Sequence, residues 1–253
     1  MPPQHPLAVD ELRWTLQRYL LESDRTSEKH LARAACACGA DAFFPPRPLL
    51  AEGCIVLVDT VEGLRRCREL LQASAAVGVD VERHWLRSYQ GYTCLLQLAT
   101  ARDGGRVFLV DCLSLPSSAV RAELAEVLGS PSILKVFHAA DNDLIWLRED
   151  FGIVVGSVLD TQVLGRKLGS PYEHLTEQWA ALCNLHASKA LKRRLQRSDW
   201  RRRPLAPLQV AYAAADAYLL LTIAGSLLRV CGQLLPEQCS GLRLLAATEG
   251  CAA

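Results

Sequence analysis

From residue 54 onward the chain alternates short apolar, β-branched runs with longer stretches whose apolar residues recur at helical spacing. Ile55 to Val58, Val77 to Glu82, Thr93 to Ala99, Val107 to Asp111 and Ile133 to Phe137 read as strands. Residues 61 to 73, 118 to 128, 142 to 150, 172 to 185 and 207 to 229 read as helices. Strands clustered early and helices late predict an α/β fold with a mixed sheet covered by helices. Residues 1 to 50 have a different texture. Leu12, Leu16, Tyr19 and Leu20 share one side of a short amphipathic helix, and Phe43, Phe44, Pro45, Pro46 and Pro48 close the segment. The expected organisation is therefore an N-terminal extension over 1 to 50, one domain over 51 to 230, and a peripheral tail over 231 to 253, with no internal repeat.

Composition narrows this picture without redrawing it. Half of the 253 residues are hydrophobic, enough for one substantial core. A formal net charge of +1 offers no global attraction for a polyanion, so any such binding must come from local patches. The ten cysteines are scattered, and Cys36 and Cys38 stand one residue apart instead of the two to four usual in zinc sites, so they read as reduced thiols. The acidic Asp10, Glu11, Glu22 and Asp24 argue against a signal or transit peptide. The most apolar late run, Ala217 to Leu228, is too short to cross a bilayer. The expectation is an intracellular protein, nuclear or cytoplasmic, without a membrane partner.

Three acidic elements carry the candidate chemistry. In Gly78-Val79-Asp80-Val81-Glu82 the strand period of two sends both carboxylates to one face. Taken alone, that pair is more often a solvated strand face. The apolar run from Ala75 to Val81 marks a buried strand, where an uncompensated charge is costly. In the second element, Lys135-Val136-Phe137-His138 leads to Asp141 and Asp143 as an apolar helix begins. Asp141 suits an N-cap, Asp143 suits a ligand, and a histidine at a strand end is more often a hydrogen-bonded structural residue. In the third, Tyr212 and Asp216 stand four apart on a helix and share its face, with Ala213, Ala214 and Ala215 between them to allow close approach to a sheet. Asp160 is adequately explained as the cap of a helical stretch reaching Leu168, with a supporting role behind the site left open.

The most basic stretch holds Lys189, Lys192, Arg193, Arg194, Arg197, Arg201, Arg202 and Arg203. Such a run is usually a solvated face. Phosphate contact by some of its members is the functional expectation.

With Val79-Asp80-Val81-Glu82, Arg87-Ser88-Tyr89-Gln90-Gly91, Leu96-Gln97-Leu98, Lys135 through Asp143 with Trp146-Leu147, Asp160-Thr161, Ser198-Asp199-Trp200, Arg203-Pro204-Leu205, Tyr212 and Asp216 in this order, the chain resembles the DEDDy 3′-5′ exonucleases. It is similar to the exosome-associated ribosomal-RNA-processing enzymes and, more distantly, to ribonuclease D. Asp141-Asn142-Asp143 and Asp150-Phe151 look like the plant-type members. The resemblance implies a ribonuclease-H-like fold and two divalent ions, magnesium or manganese, held by Asp80, Glu82, Asp143 and Asp216. It implies that Tyr212 positions the attacking water, and that single-stranded RNA is shortened to nucleoside monophosphates with exosome association as the partner. Tyr89, Gln90, His138, Lys192, Trp200 and Arg203 are the expected substrate contacts.

Two departures accompany the resemblance. Ala139 stands where relatives often have glycine, and the residues after Leu228 leave no room for the accessory domain that often follows. Two other readings stay open at this point: a DNA exonuclease, since phosphodiester chemistry does not distinguish the sugar, and a non-catalytic RNA-binding or tethering module.

Overall fold

The computed structural model describes residues 53–84, 91–102, 105–167, 170–175, 177–178 and 189–234, with residues 189 and 229–234 described by backbone alone. Strand β1 (Ile55–Val58) leads into helix α1 (Val61–Gln72), which Thr60 caps by accepting the Gly63 N–H at 3.1 Å. Three strands follow: β2 (Ala76–His84), β3 (Tyr92–Thr100) and β4 (Arg106–Asp111). Helix α2 (Ser117–Gly129), β5 (Leu134–Phe137) and α3 (Asp141–Phe151) come next, and α3 stops at Gly152, whose φ of 66° suits the helix C-terminus. Then come β6 (Val158–Asp160), α4 (Thr161–Lys167), α5 (Lys189–Gln196) and the long α6 (Pro207–Leu234).

The six strands form one sheet in the order β1-β4-β3-β2-β5-β6. The central β4-β3-β2 pairings are antiparallel, and β1, β5 and β6 join in parallel, which makes the sheet mixed, as expected. On one face Val79, Val81, Leu96, Leu98 and Phe108 pack with Leu64, Leu71, Val120 and Leu124 of α1 and α2. On the other, Leu95, Ala99, Val107, Leu109 and Val136 pack with the alanine-rich face of α6. Alternation along β2 therefore assigns Val79 and Val81 to the first core, leaving Asp80 and Glu82 toward α6.

Small residues set the distance between α6 and the sheet. A Cβ placed on Gly78 would lie 2.3 Å from the Ala217 carbonyl oxygen, so only glycine admits the helix this closely. The same closeness explains why an apolar helix need not meet lipid. Among the described residues, Pro207–Leu228 is the one stretch long and apolar enough to cross a membrane, yet 89% of its most apolar window is buried within the protein.

Five predicted strands and four predicted helices are present, with ends differing by one or a few residues. The expected helix over 172 to 185 is helical at Leu175, Glu177 and Gln178 but not over residues 172–174, and its later part lies outside the described residues. The N-terminal extension and residues 235–253 of the tail also lie outside them. Strand β6 and helix α5 were not anticipated. The first has only three residues, and the second is eight residues dominated by lysine and arginine, with too few apolar positions to display a period.

Candidate metal centre

Strand β2 delivers Asp80 and Glu82, and α6 delivers Asp216 from above. One carboxylate oxygen from each of the three lies within 4.8 Å of the others. Asp143, two residues into α3, lines the same groove; its charge acts on Glu82, and the Asp80 charge acts on it. Asp80 is half-buried, whereas Glu82, Asp143 and Asp216 are buried. Four acids in so small a space repel each other. Burial first, then the Asp216 charge, pushes the Asp80 carboxyl up to about 7 against the opposing pull of Lys192. Burial raises Glu82 well above the usual carboxylate range, helped by Asp80, Asp216 and Asp143. Burial followed by the Asp80 charge does the same to Asp143. Burial also raises Asp216, held back by the Lys192 charge and the Tyr212 hydrogen bond.

This donor set fits a divalent cation. The oxygens are hard, converge on one point, and are electrostatically unfavourable together without positive charge. Tyr212 lies over the cluster one helical turn before Asp216. It is 1% exposed, it hydrogen-bonds Asp216, and burial keeps its phenol protonated far above neutral pH. Lys192 of α5 points inward, with Nζ 3.6 Å from Asp216 Oδ1 and 5.9 Å from the centre of the Tyr212 ring.

The groove holds about 600 Å³ and is lined, beyond the acids, by Arg83, His138, Trp146, Gln162, His174 and Arg193 among others. Arg83 follows Glu82 across a register shift in the β2-β3 pairing, and its guanidinium lies 5.3 Å from the centre of the Trp146 ring. Neither Arg83 nor Trp146 was selected as a site residue from sequence. A signal existed for Trp146, since it stands three residues after Asp143 on α3 and so shares its face.

The expected substrate contacts divide. His138 and Lys192 line the groove, and His138 Nδ1 shares a hydrogen bond of 2.9 Å with Thr161 Oγ1. Burial, followed by the Lys192 charge, lowers His138 to about 4, so its ring is neutral at physiological pH. Trp200 is corrected: it is 0% exposed and packs 6.0 Å from the Tyr212 ring, leaving no face for a base. Arg203 is corrected too. Its Nε and Nη2 each donate to the Asp111 carboxylate at 2.6 Å, and Nη2 and Nη1 also reach the Cys94 and Trp200 carbonyls, so its donors brace the scaffold. Tyr89 and Gln90 lie outside the described residues.

The basic stretch is likewise not a uniform face. Arg201 is held by Asp199 at 2.8 and 2.9 Å. Arg193, Arg194 and Arg197, all exposed, line a second depression with Ala190, and Arg193 belongs to both depressions. Asp141, expected as the cap of α3, is instead its first residue. The cap is Ala140, without side-chain assistance from its own segment, while Asp160 accepts the Ala139 and Ala140 N–H groups at 3.1 and 2.8 Å.

Comparison with known proteins places this geometry in context. A family model described as 3′-5′ exonuclease matches residues 55–231. The chain is 40% identical over 185 residues to Protein RRP6-like 3 of Arabidopsis thaliana, covering 73% of this chain and 20% of that protein. It is 39% identical over 168 residues to the Exosome complex exonuclease RRP6 of Saccharomyces cerevisiae, covering 66% and 22%. Among solved structures it is similar to Escherichia coli RNase D, described as an exoribonuclease involved in structured RNA processing. That match has a TM-score of 0.63 and 27% identity over 78% of this chain and 51% of the other. The chain thus spans about a fifth of the length of the curated relatives it matches. The mixed sheet flanked by helices is the ribonuclease-H-like fold of these nuclease domains.

Proposed function

The chain belongs to the 3′-5′ exonuclease family, and on that footing we propose that it is a metal-dependent 3′-5′ exoribonuclease acting on single-stranded RNA in RNA processing or decay. The observation that carries the reading is the meeting of Asp80, Glu82 and Asp216 within 4.8 Å, in one groove with Asp143, Tyr212 and Lys192. A tethering module has no reason to bury four mutually repelling carboxylates at a groove floor.

Asp80, Glu82, Asp143 and Asp216 are the residues that would hold two divalent ions, magnesium or manganese. Bound there, the ions supply Lewis acidity for the scissile phosphate and a water of lowered pKa. The chain's own residues do the rest. Tyr212 keeps its proton at neutral pH, and its hydroxyl, fixed by Asp216, orients the attacking water. Lys192 and Arg193 carry positive charge at the groove and receive phosphate oxygens. Trp146, partly exposed beside Asp143, offers a face to the terminal base, with His138 as a neutral hydrogen-bonding neighbour.

Arg193, Arg194 and Arg197 suggest the path of the strand. Because Arg193 lines both depressions, a strand whose 3′ end reaches the acids runs over α5. The names of the relatives favour RNA over DNA as substrate and an exosome as partner. Parallel digestion of 5′-labelled RNA and single-stranded DNA with magnesium, with manganese and with chelator tests the reading. Metal-dependent shortening of RNA is expected, and preferential loss of DNA contradicts it.

A further inference from the structure

We propose that Asp160 is a positioning residue for the acid centre: it holds the turn between β5 and α3, and so sets the place of Asp143. The inference rests on reading Asp143 as a metal ligand. Asp160 Oδ1 accepts the N–H groups of Gln162 at 2.8 Å, Ala139 at 3.1 Å and Val163 at 3.2 Å, and Oδ2 accepts that of Ala140 at 2.8 Å. Two of these donors belong to the first turn of α4. The other two lie on a different corner of the sheet, about twenty residues earlier.

With three backbone N–H bonds on Oδ1 and a fourth on Oδ2, Asp160 acts as a brace between two backbone segments. The pairing of Phe137 with Asp160 between β5 and β6 sets the two corners side by side. Helix α3 has no side-chain cap of its own, and Asp160 holds the amides of its cap residue Ala140 and of Ala139 before it. Ala139 adopts φ of 59°, a left-handed conformation that a residue with a Cβ keeps only when its surroundings hold it. Glycine occupies such a position without strain, and here the alanine is held by Asp160. Thr161 extends the brace to the preceding residue through its bond to His138. Three consecutive residues, His138, Ala139 and Ala140, are thus pinned by the β6-α4 corner, and Asp143 follows in the first turn of the helix they begin.

The test is Asp160→Ser in the full chain. Serine still accepts the Gln162 N–H as an N-cap but cannot reach Ala139 and Ala140. Calorimetric titration with manganese alone, without RNA, is expected to show affinity weakened by about 10- to 100-fold. In RNA digestion kcat falls while KM changes little, and Ala139→Gly in the same background recovers part of the loss. Should the serine variant not fold, Asp160→Asn, which keeps one accepting oxygen, carries the same measurement. Asp143→Asn is titrated alongside: if it keeps wild-type manganese affinity, the metal-ligand reading fails. If Asp143→Asn loses affinity while Asp160→Ser keeps it, the positioning role is overturned. It is overturned equally if Val58→Ala, a destabilising change on β1 at the sheet edge farthest from β5 and β6, weakens manganese binding to the same extent.

Discussion

Lys192 Nζ stands 3.6 Å from Asp216 Oδ1, so this cation of α5, next to the exposed Arg193 and Arg194, is turned onto the acid cluster. With side-chain exposures of 12% and 4%, the pair is poorly screened by solvent. Lys192 stabilises the carboxylates in the metal-free protein and opposes a second positive charge arriving at the same place. Lys192→Gln is therefore expected to tighten manganese binding several-fold while raising KM for RNA, because a phosphate partner is lost. Calorimetry without RNA and steady-state digestion check the two halves.

Metal affinity should depend on pH in a direction fixed by the raised carboxyls. Asp80 moves from 3.8 to about 7 in the folded protein, and Glu82, Asp143 and Asp216 move up as well. A divalent ion displaces these protons, so manganese affinity is expected to rise as pH increases from about 5 to 8. Stability of the metal-free protein runs the other way. A group that holds its proton more tightly folded than unfolded favours the fold below its unfolded pKa, and that stability is lost as pH rises through the folded value. Thermal melts in chelator should thus show a lower melting temperature at pH 8 than at pH 5.5, as far as this cluster governs it. Saturating metal should reverse the order.

Much of this site was legible from residues alone, for identifiable reasons. Strand alternation assigned Asp80 and Glu82 to the face opposite Val79 and Val81, and helical spacing joined Tyr212 to Asp216, because both periods are local properties of the backbone. Trp200 and Arg203 were misread because neither burial nor pairing with Asp111, 92 positions away, is a local property. The same limit left the supporting role of Asp160 undecided, since its carboxylate looks like an ordinary helix cap until Ala139 and Ala140 are seen beside it. Lys192 and Arg193 are neighbours in one basic run, yet they differ in exposure because α5 turns only one of them inward.

Tyr212→Phe should separate chemistry from binding. The ring stays packed against Trp200, so the fold is retained, while the hydroxyl beside Asp216 is removed. The expected result is a loss of about 10²-fold or more in kcat with little change in KM, measured by single-turnover and steady-state digestion.

Gly78→Ala probes the approach of α6 to β2. The added Cβ meets the Ala217 carbonyl oxygen, a backbone atom that cannot swing aside, and Ala217 adjoins Asp216. Destabilisation of about 1–3 kcal/mol is expected from overpacking. Manganese affinity should fall with it, because the acid on α6 moves away from the acids on β2. Denaturant unfolding and metal titration of the same variant provide the check.

Arg203→Met should lower stability by about 2–3 kcal/mol, discounted for partial exposure, by leaving Asp111 without its cationic partner. At temperatures where the variant is folded, its KM for RNA should match that of the parent. A raised KM in a fully folded variant would return Arg203 to the substrate contacts.

The most direct test of the central claim is a time course of a 5′-labelled single-stranded RNA incubated with the purified chain and with Asp80→Asn, in magnesium or manganese. The account predicts a ladder shortening from the 3′ end with release of nucleoside monophosphates by the parent protein. It predicts none by the variant, which still binds the RNA. Intact RNA with the folded parent protein in both metals, or equal shortening by the variant, would contradict it.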